Sequence, residues 1–173
     1  ARKAGVPVRL GKKTSNLFRT RKKPTAARIL EVAGMDRVLA VDPESNEAEV
    51  GGMTTYETLV ASTLLFDRMP AVVPELKTIT VGGAVTGGGI ESSSFRYGFV
   101  HETVTEIEVL TAEGELIVCT PTNEHRDLFF GFANSYGTLG YALRLKLKLV
   151  PVKPFVKLTH RRHGDAEAFF EEL

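Results

Sequence analysis

The residues most able to hold a ligand are concentrated between Pro74 and Gly98. Five of the eight residues from Gly82 to Gly89 are glycine: Gly82, Gly83, Gly87, Gly88 and Gly89. Glycine loses more backbone freedom on folding than any other residue, so such density needs a cause. One cause is a backbone that bends through positive φ and lies against a ligand, its N–H groups forming a concave nest for an anion. Hydroxyls follow at Ser92, Ser93, Ser94 and Tyr97. Several donors in a small space suit a phosphate or pyrophosphate. The alternative is a plain surface Gly/Ser loop. The flanking Ile79, Val81, Val85 and Ile90 speak against it, because a flexible linker has no use for apolar brackets. The run is not a P-loop, since no Lys-Ser/Thr follows its glycines. Gly87-x-Gly89-x-x-Ser92 matches the dinucleotide fingerprint only in half. The candidate contacts here are Pro74, Thr80, Val81, Gly82, Gly83, Gly87, Gly88, Gly89, Ile90, Glu91, Ser92, Ser93, Tyr97 and Gly98.

Two shorter stretches offer related chemistry. Gly11, Lys12, Lys13, Thr14, Ser15 and Asn16 follow a short apolar run and combine hydroxyls with two cations, which suits either a phosphate contact or an ordinary turn. Gly137 and Gly140 bound a tight turn in Ser135-Tyr-Gly-Thr-Leu-Gly140. Other chemically able residues read as structural. Cys119 follows Leu-Ile-Val and is a packed thiol. Glu106 and Glu108 lie on the outer face of a strand and read as solvated. Glu91 beside a phosphate loop reads as an acceptor for backbone N–H groups. His125 lies in a charged helix start and reads as solvated. His160 and His163 lack the spacing and company of a metal pair on a helix, so no metal site is expected.

The elements that must position these residues follow from periodicity and turn chemistry. Val6–Leu10 and Ala27–Val32 read as strands. Val38–Asp42 and Glu47–Val50 form a hairpin around Pro43-Glu-Ser-Asn46. Thr54-x-x-Glu57 predicts a capping box opening a helix whose apolar face is Leu59, Val60, Thr63, Leu64 and Phe66. Pro70 and Pro74 bound an extended segment. Val104–Leu110 turns at Ala112-Glu-Gly114 into Glu115–Cys119. Asn123 is expected to cap a short helix through Asp127–Phe130, whose Leu128-Phe-Phe130 is core. Leu143, Leu145, Leu147 and Leu149 alternate with Arg144, Lys146 and Lys148, which predicts a strand with one buried and one wet face. Strands dominate and regular βαβ alternation is missing, so the fold class is α+β, mixed sheets with few short helices.

The chain has 173 residues, 43% of them hydrophobic and 25% charged, an ordinary globular composition with room for one core. No apolar run reaches the ~18 residues of a membrane span, and no signal-peptide pattern opens the chain. A single cysteine makes a reducing, cytoplasmic setting the expectation. Net charge is +1, yet ten of the 22 Lys and Arg lie between Arg2 and Arg28, before the first acid, Glu31. Such an arm can meet nucleic acid, a cofactor phosphate or only water. Phe18 is its one aromatic, which ranks nucleic acid last and leaves no nucleic-acid partner expected. Both ends read as cut. Asp165 begins a helix with no stop signal, so the chain is expected to be part of a longer protein.

The ordered set Thr80-Val-Gly-Gly83, Gly89-Ile-Glu-Ser-Ser-Ser94, Tyr97-Gly98, Ala112-Glu-Gly114, Asp127-Leu-Phe129 and Gly137-Thr-Leu-Gly140 resembles the FAD-binding domain of the vanillyl-alcohol oxidase and p-cresol methylhydroxylase superfamily. Pro74-Glu-Leu, Gly89–Ser94 and Cys119-Thr-Pro121 look closest to its Δ24-sterol reductase branch. The resemblance implies an FAD-dependent oxidoreductase with hydride transfer through flavin N5, either sterol-reductase-like or alcohol-oxidase-like. It implies an FAD-binding domain over residues 1–153, and the start of a truncated substrate (cap) domain at 154–173 that would bring the small-molecule substrate. Pro74–Gly98 would be the main pyrophosphate loop. Gly11–Asn16 would be the first FAD loop, where Lys12 and Lys13 depart from the usual glycines. Gly137–Tyr141 would approach the cofactor through backbone. Covalent members commonly carry a histidine in the first loop and Thr14 stands near that place, so non-covalent FAD is implied. NADPH is the reductant implied for a full-length reductase. His101 either faces the isoalloxazine or is a hydrogen-bonded histidine at a strand start. No catalytic residue is singled out. The alternatives from other classes are a non-catalytic nucleotide-binding module and a basic nucleic-acid-binding domain.

Overall fold

The structure is a computed structural model and describes residues 6–12 and 28–173. Lys13, Thr14, Ser15 and Asn16, and the Arg19–Pro24 segment, lie outside the described residues. β1 (Val8–Leu10) and β2 (Arg28–Leu30) pair in parallel. The remaining strands are β3 (Val38–Asp42), β4 (Glu47–Gly51), β5 (Arg68–Pro70), β6 (Val104–Leu110), β7 (Leu116–Cys119) and β8 (Tyr141–Pro151). They form an antiparallel sheet in the order β3-β4-β8-β6-β7, with β5 pairing the far end of β8. The long alternating strand is therefore the centre of the sheet, flanked by two hairpins. Helices α1 (Tyr56–Leu64), α2 (Val81–Gly87), α3 (Ser94–Tyr97), α4 (Arg126–Phe132) and α5 (Ala166–Glu172) complete the chain. No helix among the described residues is long and apolar enough to cross a membrane.

Period-two alternation gives the sheet its two faces. Val50, Ile107, Val109, Leu145, Leu147 and Leu149 are buried with Tyr56 and Leu59 of α1, Val81, Ala84 and Val85 of α2, and Phe129 and Phe132 of α4. Burying each of the larger side chains contributes about 1.5–3 kcal/mol. The opposite face is a ladder of charge. Arg144 on β8 reaches Glu49 on β4 at 2.7 Å and Glu108 on β6 at 3.4 Å, and Lys146 reaches Glu106 at 3.3 Å. Glu106 and Glu108 are thus ion-paired across strands, not merely solvated. Opposite charges meet directly because the antiparallel register aligns Glu106 with Lys146 and Glu108 with Arg144.

Local expectations needed four adjustments. The cap of α1 is Thr55, whose side chain accepts from Thr58 N. The Thr54 hydroxyl instead donates to Arg37 O at 2.9 Å. Leu64 and Phe66 sit at the end of α1 and are exposed, so the apolar face is Tyr56, Leu59 and Thr63. Asn123 holds the turn before α4, accepting from Thr120 N and His125 N, and does not cap the helix. Phe129 is buried but Phe130 is turned outward. Asp165 does cap α5, accepting from Ala168 N at 2.9 Å.

Replacing Arg144 with Met would leave three part-buried carboxylates without their shared cation. The variant should lose about 1–2 kcal/mol of stability in urea unfolding. An unchanged midpoint would mean that the ladder contributes nothing. Cys119 is fully buried, its Sγ directed at Ile107 O, and burial pushes its thiol up to about 11 from an ordinary 9.0. The folded thiol stays protonated where the unfolded one ionises. The contribution of this thiol is therefore complete below pH 9 and is lost as pH rises from 9 towards 11. Iodoacetamide should leave Cys119 unmodified at pH 8 in the native chain and alkylate it in urea.

Candidate functional site

The glycine run is not a loop of positive φ. From Gly82 to Gly87 it is the helix α2, and only Gly88, which ends that helix at φ 70°, is left-handed. The donors at the head of α2 are already taken. Val81 N donates to Thr54 O at 2.9 Å, Gly82 N to Gly52 O at 3.0 Å, and Gly83 N to the Thr80 side chain at 3.2 Å. An anion nest at Gly82–Gly83 is therefore not formed. Gly82 serves a different purpose, since a Cβ there would lie 2.8 Å from the Gly52 carbonyl oxygen. Val81 is buried and anchors the helix to the core.

What α2 leaves open is its outer side. Gly83 and Gly87 are one turn apart and exposed, and a Cβ on Gly87 would meet nothing within 4 Å. The turn after α4 lies alongside. Asn134 N donates to Val85 O at 3.2 Å, and Tyr136 N donates to Thr86 O at 2.9 Å. This turn carries unusual backbone. Asn134 and Tyr136 are left-handed at φ 56° and 52°, and Gly137 and Gly140 have φ 82° and 137°. A bulky residue such as Tyr136 in this region is strained, and such residues gather at ligand sites. The Ser135 hydroxyl is buried with no hydrogen-bond partner among the described residues. Two stretches about 50 residues apart are thus joined, Val85–Thr86 to Asn134–Tyr136.

The serine segment is partly committed. Ser93 donates to Ala71 O at 2.9 Å, and the Ser94 hydroxyl accepts from Glu91 N at 3.0 Å. Ser92 is exposed, as is Ile90. Glu91 accepts from Glu75 N at 3.0 Å, the backbone-fixing role expected of it. Pro74 is buried beside that contact. Tyr97 is half-buried with the Arg96 guanidinium 5.5 Å above its ring. Gly98 has φ 76° and closes against the Glu102 carboxylate. Gly89 is held against Val100, where a Cβ would lie 2.9 Å from that side chain. Gly11 N donates to Leu30 O at 2.9 Å, which closes the loop start onto β2. Tyr56 is the residue sequence reasoning missed. Its hydroxyl is buried without a partner among the described residues, and burial together with the charge of Glu91 pushes its pKa up. Nothing in the sequence separates this tyrosine from any other core aromatic. His101 lies in the 3-10 turn Val100–Thr103, and its Nδ1 is buried with no partner among the described residues.

Residues 1–120 match the family described as FAD binding domain. The chain belongs to this family. Among curated relatives it is 42% identical to the Delta(24)-sterol reductase of Pisum sativum over 50 residues, 29% of this chain and 9% of that protein. It is 36% identical to the Delta(24)-sterol reductase of Rattus norvegicus over 62 residues, 36% of this chain and 12% of that protein. The matched stretches are thus a small part of those relatives. The fold resembles 6-hydroxy-D-nicotine oxidase from Arthrobacter nicotinovorans, with a TM-score of 0.69 at 20% identity, over 84% of this chain and 31% of that one. The α+β fold expected from the strand pattern is therefore the fold that this oxidase has.

The Glu91 contact sets the shape of this FAD-binding domain's serine segment. Glu91→Ala should raise the hydrogen-exchange rate of the Glu75 amide about tenfold, while Glu91→Gln, which keeps an acceptor, should not. Equal protection in both variants would show that the contact is idle.

Proposed function

We propose that this chain is the cofactor-holding part of a flavin-dependent oxidoreductase, with FAD bound non-covalently along the glycine side of α2 and the Asn134–Gly140 turn. The observation that carries the reading is their junction through Asn134 N to Val85 O and Tyr136 N to Thr86 O. It brings the open backbone of Gly87 onto the same side of the protein as the Asn134–Tyr136 turn and the Ser135 hydroxyl, which has no partner among the described residues. These residues fit a diphosphate ester, which needs close approach and neutral or positive donors. The nearby acid, Glu91, is turned onto Glu75 N.

In this reading Gly87, Gly88, Ser92 and Gly137 contact the cofactor, and Gly83 and Gly140, closed onto Thr80 and Leu110, help position them. Thr80, Val81, Gly82, Gly89, Glu91, Ser93, Tyr97, Gly98 and Pro74 position them. Gly11, Lys12 and the Lys13–Asn16 stretch supply the remaining phosphate contacts. Bound FAD supplies hydride exchange at N5. The chain itself binds, orients and excludes water. Non-covalent attachment is supported by the side chains at the site: the single thiol, Cys119, is sealed in the core.

For the whole protein we extend the reading to a reductase of the sterol type with NADPH as donor, following the names of the relatives. Residues 1–153 form the FAD-binding domain and 154–173 begin a substrate-covering domain. Phe155, Val156, Leu158 and Phe170, between 71% and 87% exposed, are the surface such a domain would cover.

The test is flavin binding by the purified chain. FAD fluorescence should change saturably, and acid precipitation should leave all flavin in the supernatant. Gly87→Val adds a branched side chain where the protein has open space, so it should fold as the parent does. It should nevertheless weaken FAD binding about tenfold or more, the loss of one charge-assisted contact. Parent-like affinity in a folded Gly87→Val variant would remove the cofactor from this side of α2.

A further inference from the structure

The core beneath the serine segment holds a titratable group with no task so far. Tyr56 opens α1 and is 1% exposed, the bulkiest fully buried side chain among the described residues. Its hydroxyl has no hydrogen-bond partner among them. A buried hydroxyl left unpaired destabilises a fold, so an orphan of this kind calls for a partner.

The head of α1 lies against the segment that leads into α2. Tyr56 N donates to Ile79 O and Glu57 N to Lys77 O, both at 3.0 Å, and Thr55 bridges Thr80. At the start of the same segment, Glu75 N donates to Glu91 Oε1 at 3.0 Å. Tyr56 and Glu91 thus grip two points of one strap, residues 75–80. The hydroxyls of the surrounding elements are committed. Thr54 donates to Arg37 O and Ser93 to Ala71 O, while Thr80 and Ser94 accept from Gly83 N and Glu91 N. Glu91 is half-buried, and its Oε2 has no hydrogen bond among the described residues. Burial and, after it, the Glu91 charge keep the proton on Tyr56, so the phenol is available as a donor. No direct bond joins the two groups, and a polar gap of this kind inside a fold is where a bridging water belongs.

We propose that Tyr56 is a positioning residue of the cofactor site: its hydroxyl donates to one ordered water that donates in turn to Glu91 Oε2, which keeps the carboxylate on Glu75 N and fixes the course of Ile90–Ser94. The consequence for FAD rests on the reading given above, whereas the contact itself does not.

A double-mutant cycle in urea unfolding tests the contact. Tyr56→Phe removes the hydroxyl alone. It should lower the folded-to-unfolded ratio about tenfold in the parent and less than about twofold in Glu91→Ala. A Tyr56→Phe variant as stable as the parent, or more so, would show an orphan hydroxyl and overturn the proposal. So would equal losses in both backgrounds. Tyr56→Phe should also speed exchange of the Glu75 amide about fivefold and weaken FAD binding about fivefold. Leu59→Val, a core change one turn along α1, should lower stability and leave both at parent values. In a parent that binds FAD, parent-like exchange and affinity in folded Tyr56→Phe would remove the positioning role. Should Tyr56→Phe not fold, Glu91→Ala must still move the Tyr56 ζ-carbon resonance, and an unmoved resonance overturns the contact. A parent chain that binds no FAD removes the cofactor reading and leaves the cycle to decide the contact.

Discussion

The rest of the structure depends on one close approach of bare backbone. At the end of β4 the chain passes over Gly51 and Gly52, and a side chain at Gly52 would run into the Ala142 carbonyl of β8. Gly52 N donates to Leu143 O at 2.8 Å, and its own carbonyl accepts from Gly82 N at 3.0 Å. Three segments, β8, the exit of β4 and the head of α2, are thereby stacked without intervening side chains. Glycine is the only residue with no Cβ to prevent this. The seam sets how closely α2 lies on the sheet, and so where both of its flanks face.

The sheet beneath α2 works because its two faces solve different problems. The inner face buries a continuous apolar layer with the helices. On the outer face Arg144 pairs with carboxylates from both neighbouring strands, and Lys146 pairs with Glu106 of β6. Arg144 touches acids on β4 and β6 at once, so it records the strand order β4-β8-β6 in its contacts. One-residue slippage would bury that charge and expose the leucines, which ties register to both faces together.

α2 is short, yet it separates two environments. Its glycine side lies open beside the strained Asn134–Gly140 turn. Its Val85 side closes onto a cavity under Phe129 and His101. A seven-residue helix with glycine at Gly82, Gly83 and Gly87 has little intrinsic helical stability. It persists through its Thr80 cap, the Gly52 contact and the burial of Val81, Ala84 and Val85. Its conformation is therefore a property of its packing.

Alternation and turn chemistry in the sequence alone determined β8 and both hairpins flanking it, the Asp165 cap and the buried thiol of Cys119, and the order of the glycine motifs carried the resemblance to the family. These are local signals: side-chain period, turn residues and motif order act over a few positions. Other features came only from tertiary structure. Whether Gly82 bends or coils depended on Gly52, 30 residues earlier, taking up its space and its donor. Whether Glu106 and Glu108 met water or cations depended on β8 lying beside β6. The cap moved from Thr54 to Thr55 because Arg37 O claimed the first hydroxyl. Joining Val85–Thr86 to Asn134–Tyr136, and leaving Tyr56, His101 and Ser135 with polar atoms unmet among the described residues, required tertiary packing, because sequence spacing carries no information on which distant backbone groups will compete for the same partner.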